Sequence, residues 1–96
     1  MPRRKKLRRV RFWPEINYFK PRGVALANLE EIELSLDELE ALRLADFDGR
    51  DQIKAAKKMG VSQSTFQRIL AQARRKVAEA LVIGRAIKMK GGDHIM

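Results

Sequence analysis

Five polar side chains stand close together in the segment "VSQSTFQRIL", and their chemistry suits the edges of DNA bases. They are Gln63, Ser64, Thr65, Gln67 and Arg68. A glutamine can form two hydrogen bonds with adenine, and an arginine can do the same with guanine. Serine and threonine hydroxyls can reach base edges, thymine methyl groups or phosphate. On a helix that enters a major groove, these five side chains are predicted to contact bases.

Side chains suited to phosphate surround this segment. Gln52 opens the preceding predicted helix, where backbone N–H groups favour an anion. Basic residues of both predicted helices can bind the DNA backbone by charge. The predicted phosphate contacts are Gln52, Lys54, Lys57, Lys58, Arg74 and Arg75. The alternative for any single lysine is an ordinary solvated charge.

Charge is distributed unevenly along the chain. The 96 residues include 21 Lys and Arg against 12 Asp and Glu, a net charge of +9. Residues 1–11 hold seven bases and no acid, residues 12–50 hold four bases and nine acids, and residues 51–96 hold ten bases and three acids. This segregation predicts a basic surface that attracts a polyanion and an acidic segment that points elsewhere.

Residues 1–11 are predicted to form a basic N-terminal arm, and residues 12–96 a single domain with one core. The bases of the arm are Arg3, Arg4, Lys5, Lys6, Arg8 and Arg9, with Arg11 at its end. Two interpretations stay open. The arm lies along a minor groove, as a homeodomain arm does, or it is a disordered, solubilising end.

Hydrophobic spacing and capping residues predict three helices. The first begins at a capping box of Ser35 and Glu38 and stops at Asp48-Gly49. Its predicted inward residues are Leu36, Leu39, Leu42 and Ala45. The acids Asp37, Glu38, Glu40 and Asp46 on this helix would repel phosphate, so its acidic face is predicted to stay away from DNA.

The second predicted helix covers residues 52–59, between an Asp51 N-cap and Gly60. The third begins after a Ser62 N-cap and continues to about Val82 or Ile83. Its predicted inward stripe is Phe66, Ile69, Leu70, Ala73, Val77, Ala80 and Leu81.

Residues 52–71 have the spacing of a helix-turn-helix. Such a unit needs a small residue in its first helix, a glycine four residues later, and apolar residues that lock the second helix in place. The matching residues are Ala56, Gly60, Val61, Phe66 and Ile69, with Ile53 and Met59 completing the wedge. An ordinary helical hairpin is the alternative, but it does not explain the polar and basic outer face.

The predicted fold class is therefore mostly α: a three-helix core with an extended N-terminal segment and a short C-terminal strand. The strand is predicted over Ala86–Lys90, and Val10–Phe12 is its suggested partner. Trp13, Tyr18 and Phe19 are expected to anchor the extended segment to the domain, with base stacking as the alternative.

Several function classes find no support in the sequence. It has no cysteine, no phosphate-binding GxxxxGK[ST] motif and a single histidine, His94, so we expect no enzyme activity, no cofactor and no metal site. No apolar run approaches the roughly 18 residues of a membrane span, and no signal peptide is evident. We expect a soluble, cytoplasmic protein that does not bind membranes.

The segment "KMGVSQSTFQRIL" is similar to the helix-turn-helix of phage repressors, and "VSQSTFQRILAQARRKVAEAL" resembles region four of sigma factors. Taken whole, the sequence resembles a family of small, uncharacterised prokaryotic proteins predicted to bind DNA. The shared features include "FKPRG", "LDELEALRLAD", "ARRKVAEAL" and the closing Gly91-Gly92. The phage resemblance implies that Gln63 and Ser64 lead base recognition and that Gln52 binds a backbone phosphate.

We expect sequence-dependent binding to duplex DNA, as a transcriptional regulator that works as a homodimer. The acidic middle segment and the apolar stretch Leu81–Ile83 are alternative dimer surfaces. Two other hypotheses stay open: an RNA-binding or ribosome-associated basic protein, and an adaptor that docks on RNA polymerase or another part of the transcription machinery.

Overall fold

The computed structural model describes residues 8–9, 17–90 and 94–95. Within them, the α-helices are α1 (Leu36–Leu42), α2 (Gln52–Met59) and α3 (Gln63–Ile83). The strands are β1 (Arg8–Arg9), β2 (Tyr18–Phe19), β3 (Glu31–Ser35), β4 (Ala86–Lys90) and β5 (His94–Ile95). A 3-10 turn (Leu26–Asn28) precedes β3, and a π-helical turn (Arg43–Phe47) continues α1. The mostly helical fold class and the short C-terminal strand are confirmed.

The capping box at the start of α1 forms as predicted. The Ser35 side chain accepts a hydrogen bond from the Glu38 backbone N–H, and the Glu38 carboxylate accepts one from the Ser35 N–H at 2.9 Å. These two bonds satisfy backbone donors that the first turn of a helix leaves unpaired. The polypeptide then enters the π-helical turn, where Asp48 N–H donates to the Arg43 carbonyl at 2.7 Å.

The buried face of α1 and the π-helical turn is only partly the predicted one. Ala41 and Leu44 are fully buried in the core, whereas Leu39, Leu42 and Ala45 are only half-buried. The predicted inward set was therefore only partly right. The buried residues Leu36, Glu40 and Leu44 follow one another at four-residue spacing, so the buried stripe includes an acid that a search for apolar spacing passes over.

Local capping signals set the bounds of α2 and α3, and both predictions are confirmed. The Asp51 carboxylate accepts from the Lys54 N–H at 2.9 Å, and the Ser62 hydroxyl accepts from the Thr65 N–H at 3.2 Å. Gly60 has φ 68°, a left-handed conformation that glycine adopts without steric cost. Residues 60–62 therefore turn the backbone sharply between the two helices.

The main core lies between α1, the π-helical turn, α2 and α3. Its buried members are Ala41, Leu44, Ala55, Ala56, Met59, Phe66, Ile69 and Leu70. Val61 is partly buried against this cluster, as predicted for the residue after the turn. Two predicted core residues are wrong: Ile53 is 56% exposed and Leu81 is 77% exposed. Neither has a neighbouring element of the described structure packed over it.

A three-stranded sheet packs against α1 and α3. β4 is its central strand, antiparallel to β2 and parallel to β3. Ile32 and Leu34 are buried on its inner face, while Glu31 and Glu33 are exposed on the other, as the alternation in the sequence indicates. The suggested partner of β4, Val10–Phe12, lies outside the described residues, as does Trp13.

Ion pairs tie the acidic residues of α1 and the π-helical turn to α3. Glu38 Oε1 lies 2.7 Å from Lys76 Nζ. Asp46 and Arg74 form a bidentate pair with distances of 2.6 and 3.0 Å. The hydrogen bonds from Arg74 hold the pKa of Asp46 below its usual range and raise the pKa of Arg74.

We expect Phe66→Ala to lower the free energy of unfolding by about 3–5 kcal/mol, because it removes a fully buried ring and leaves a cavity between the helices. Chemical denaturation measures the change. Gln72→Ala, on the exposed side of the same helix, is the matched control and should change stability by less than about 0.5 kcal/mol. A comparable loss in both variants would contradict the packing described above.

The Asp46–Arg74 pair predicts a small pH-dependent contribution to stability. The pKa of Asp46 is lowered by folding, so the contribution is complete above the unfolded-state pKa, roughly 3.9, and is lost as pH falls through the lower folded-state pKa. Both side chains are about half exposed, which limits the effect to about 0.2–1 kcal/mol.

We therefore expect Asp46→Asn to be less stable than the unmodified protein at pH 7, and the difference to shrink below about pH 4. Denaturant titrations at several pH values measure it. The same substitution in an Arg74→Gln background is the control, because the partner is already missing there. A difference that persists at low pH, or survives in that background, would contradict the assignment.

Candidate nucleic-acid interface

The burial of one stripe of α3 leaves a polar surface bare at the start of this helix. We call Gln63, Ser64, Thr65, Gln67 and Arg68 the α3 shoulder. With about 100° per residue, Ser64 and Arg68 both lie about 160° around the helix axis from Phe66. All members of the α3 shoulder are exposed except Thr65, which is half-buried.

Hydrogen bonds organise the first turn of α3. The Ser62 hydroxyl caps the helix, lies 3.2 Å from the Ser64 hydroxyl and donates to Thr65 Oγ1 at 3.0 Å. Arg68 Nη2 also donates to Thr65 Oγ1, at 3.3 Å. Thr65 therefore orients Arg68 and is less available to an outside partner than the sequence predicts. This bond uses one N–H donor of the Arg68 guanidinium group and leaves its other donors available.

An open groove separates the first turns of α2 and α3. It is lined by Asp51, Gln52, Ile53, Lys54, Lys57 and Gln63. Lys54 and Lys57 are exposed, and Gln52 is half-buried. The structure thus brings the first predicted base contact and three of the predicted phosphate contacts around one surface depression.

The remaining predicted phosphate contacts differ in their surroundings. Arg75 is exposed on the same side of α3 as Ser64 and Arg68, and Lys58 is half-buried at the end of α2. Arg74 is held by Asp46, so it would have to leave this pair, or share it, to bind a phosphate. Electrostatically, Arg74 is the least available member of the predicted set.

The end of the N-terminal arm lies beside the turn between α2 and α3. A Cβ atom placed on Gly60 would sit 3.7 Å from Arg9 Nε, so the Arg9 side chain passes directly over this glycine. β1, which contains Arg8 and Arg9, pairs in parallel with β5. The other predicted arm residues, Arg3, Arg4, Lys5 and Lys6, lie outside the described residues.

The acidic middle segment does not form an exposed acidic surface on α1. Asp37, Glu38 and Glu40 are buried, Glu38 is paired with Lys76, and Glu40 with Arg43 at 2.7 Å. The bond to Glu40 raises the pKa of Arg43. Much of the negative charge counted in the sequence is thus neutralised within the fold.

Ile53 is a groove residue that sequence analysis does not assign to the site, and Asp51, the other, is predicted only as the cap of α2. The apolar side chain of Ile53 suggested a place in the core, yet more than half of it is exposed beside Lys57 and Gln63. Helical spacing does not decide its exposure: the buried residues Ala55, Ala56 and Met59 share one side of α2, and Ile53 lies at the margin of that side, where both burial and exposure fit the spacing.

Two other kinds of site are absent from the part of the chain that the structure describes. No group of three or more His, Cys, Asp or Glu residues there is arranged to hold a metal ion. Nor does any described helix combine the length and the apolar character that crossing a bilayer requires.

Comparisons with known proteins place the chain in a sequence family. Residues 1–96 match the family described as "Protein of unknown function DUF134". A UPF0251 protein of Desulforudis audaxviator is 56% identical over 97% of this chain and 61% of its own length. A UPF0251 protein of Halothermothrix orenii is 49% identical, over 98% of this chain and 70% of its own length.

A third UPF0251 protein, from Moorella thermoacetica, is 54% identical over 96% of this chain and 62% of its own length. The chain thus spans about three fifths of the Desulforudis and Moorella relatives. No solved structure matches the chain. On its full-length match and these identities, the chain belongs to the DUF134 family of prokaryotic proteins, whose relatives carry the name UPF0251.

Proposed function

We propose that this protein binds duplex DNA in a sequence-dependent manner, with α2 and α3 acting as a helix-turn-helix related in design to region four of sigma factors. The observation that carries the proposal is the bare α3 shoulder. The helix that presents it is fixed by the buried Phe66 on its other side, as a recognition helix must be.

The shape of the unit supports this proposal. A major groove is about 12 Å wide and admits one α-helix, usually by the first turns of the recognition helix. α2 and α3 are joined by the three residues 60–62, and Gly60 has the left-handed conformation that so short a turn needs. Ser64 and Arg68 are one turn apart, about 6 Å along the helix axis, which spans roughly two base pairs.

Charge supports it as well. The exposed bases Lys54, Lys57, Arg68 and Arg75 lie on α2 and α3, and Arg9 lies over the turn that joins them. The acids of α1 are buried or paired. They therefore reduce the attraction between this basic surface and a polyanion by less than their number in the sequence suggests. Such a surface is the electrostatic footprint of a nucleic-acid binder.

A homodimer completes the proposal, because one helix-turn-helix seldom binds tightly alone and paired half-sites lie about 34–36 Å apart. Leu81, Val82 and Ile83 are consecutive, apolar and exposed at the end of α3. The acidic alternative is less suitable, because the carboxylates of its described residues already have partners within the fold. We therefore infer that two copies meet through Leu81–Ile83.

Sedimentation of Val82→Asp should show monomers, and an unchanged dimer would exclude this surface.

The proposed biological role is transcriptional regulation in the cytoplasm, with the transcription machinery as a further partner. Binding, and not catalysis, is the proposed activity.

Competition between duplex and single-stranded DNA or RNA at raised salt separates this role from RNA binding. Duplex preference is expected, because α3 presents a helix face and not a platform of stacked aromatic rings.

We expect Arg68→Ala to relax the preference at one base position and to weaken binding to the preferred duplex by about 1–3 kcal/mol. Lys57→Ala should weaken all duplexes to the same extent, because phosphates carry no sequence information. Selection from random duplex DNA, followed by affinity measurements at one salt concentration, gives both numbers.

Arg22→Ala is the charge-matched control, since Arg22 is an exposed arginine outside α2 and α3. It should leave the selected sequence unchanged. Equal, sequence-independent losses for Arg68→Ala and Lys57→Ala would show that the α3 shoulder does not recognise bases.

A further inference from the structure

Ile53 is an apolar side chain in a groove that is otherwise polar. The groove between the first turns of α2 and α3 is lined by Ile53 together with Asp51, Gln52, Lys54, Lys57 and Gln63. Ile53 is 56% exposed. It lies four residues before Lys57 and therefore on the same face of α2. Its position next to Gln63 puts it at the border between the predicted phosphate contacts and the predicted base contacts.

The charges around Ile53 limit which part of a DNA duplex this side chain can contact. Asp51 caps α2 through its carboxylate, which stays about half exposed and lies 3.9 Å from Lys54 Nζ. A phosphate close to Asp51 would be repelled by that carboxylate, so a backbone phosphate is better placed at Lys57 than at Gln52, the predicted phosphate contact next to Asp51. An apolar part of the duplex fits beside Ile53 without this repulsion.

The major groove offers one prominent apolar group, the C5-methyl group of thymine. Resting on the DNA-binding function proposed above, we propose that Ile53 is a specificity-determining residue that contacts a thymine methyl group in each half-site. The contact removes apolar surface of both groups from water, which is favourable in proportion to the area buried. Gln63, across the groove, contacts a neighbouring base pair.

The size of the effect follows from the burial of one methyl group. It corresponds to roughly a fourfold difference in affinity between thymine and the same base without its methyl group, deoxyuridine. Pairing with adenine is the same for the two bases, so the comparison changes only the methyl group. Its loss can therefore be measured without altering the hydrogen-bonding pattern of the duplex.

The test is a double-mutant cycle between protein and DNA, using duplexes selected from a random pool by the unmodified protein. Each conserved thymine of the selected site is replaced in turn by deoxyuridine, and affinity is measured for the unmodified protein, Ile53→Ala and Leu26→Ala. Leu26 is a matched control, because it is 63% exposed but lies in the 3-10 turn outside the groove. Since Ile53 is exposed, its removal leaves the core intact, and circular dichroism confirms folding.

The expected result is one position at which deoxyuridine weakens binding about fourfold with the unmodified protein and with Leu26→Ala, but not with Ile53→Ala. Equal losses in all three proteins, or no loss at any position, would overturn the role of Ile53 and leave DNA binding standing. Failure to select or bind any duplex would overturn both the proposed function and this inference.

Discussion

The burial of Phe66 fixes the rotation of α3, and the rest of the proposed interface depends on that rotation. The ring is fully enclosed in the core that α1, α2 and α3 share. Because an α-helix turns by about 100° per residue, burying position 66 forces Ser64 and Arg68 to the opposite side. A rotation of one residue would move one side of the α3 shoulder toward the core and present an apolar residue instead.

The turn at Gly60 carries this constraint from α3 to α2. Its positive φ lets the backbone reverse within three residues, and Val61 then packs against the core. The distance between the first turns of the two helices, and hence the groove that holds Ile53 and Lys57, depends on this short connection. Arg9 passes over the same glycine, so a basic residue from the N-terminal arm is held next to the turn between α2 and α3.

Sequence analysis could predict the helix bounds because short-range hydrogen bonds decide them. Asp51, Ser62 and Gly60 act on atoms within a few residues, and the structure places each of them at the predicted cap. The exposure of Ile53 and Leu81 could not be predicted in this way. Their burial depends on whether another element covers them, which is a tertiary property that helical periodicity does not contain.

The same limit applies to charge. The nine acids of residues 12–50 suggested an acidic surface, but Glu38 is buried against Lys76 and Asp46 is paired with Arg74, partners 38 and 28 residues away. The sheet is another example of this limit, because β2 and β3, the partners of β4, are distant from it in sequence. Local patterns thus predicted the α3 shoulder, while its electrostatic surroundings follow only from the complete fold.

The most direct measurement is an NMR titration of the protein with a selected duplex. The backbone amide signals are monitored at each step of the titration. We expect the largest shifts in residues 62–68 and 52–57, because these surround the groove and the α3 shoulder, and small shifts in α1 and the exposed face of the sheet. Shifts concentrated in α1 or in β3 and β4, with residues 62–68 unchanged, would contradict the central claim that the surface opposite Phe66 enters the DNA.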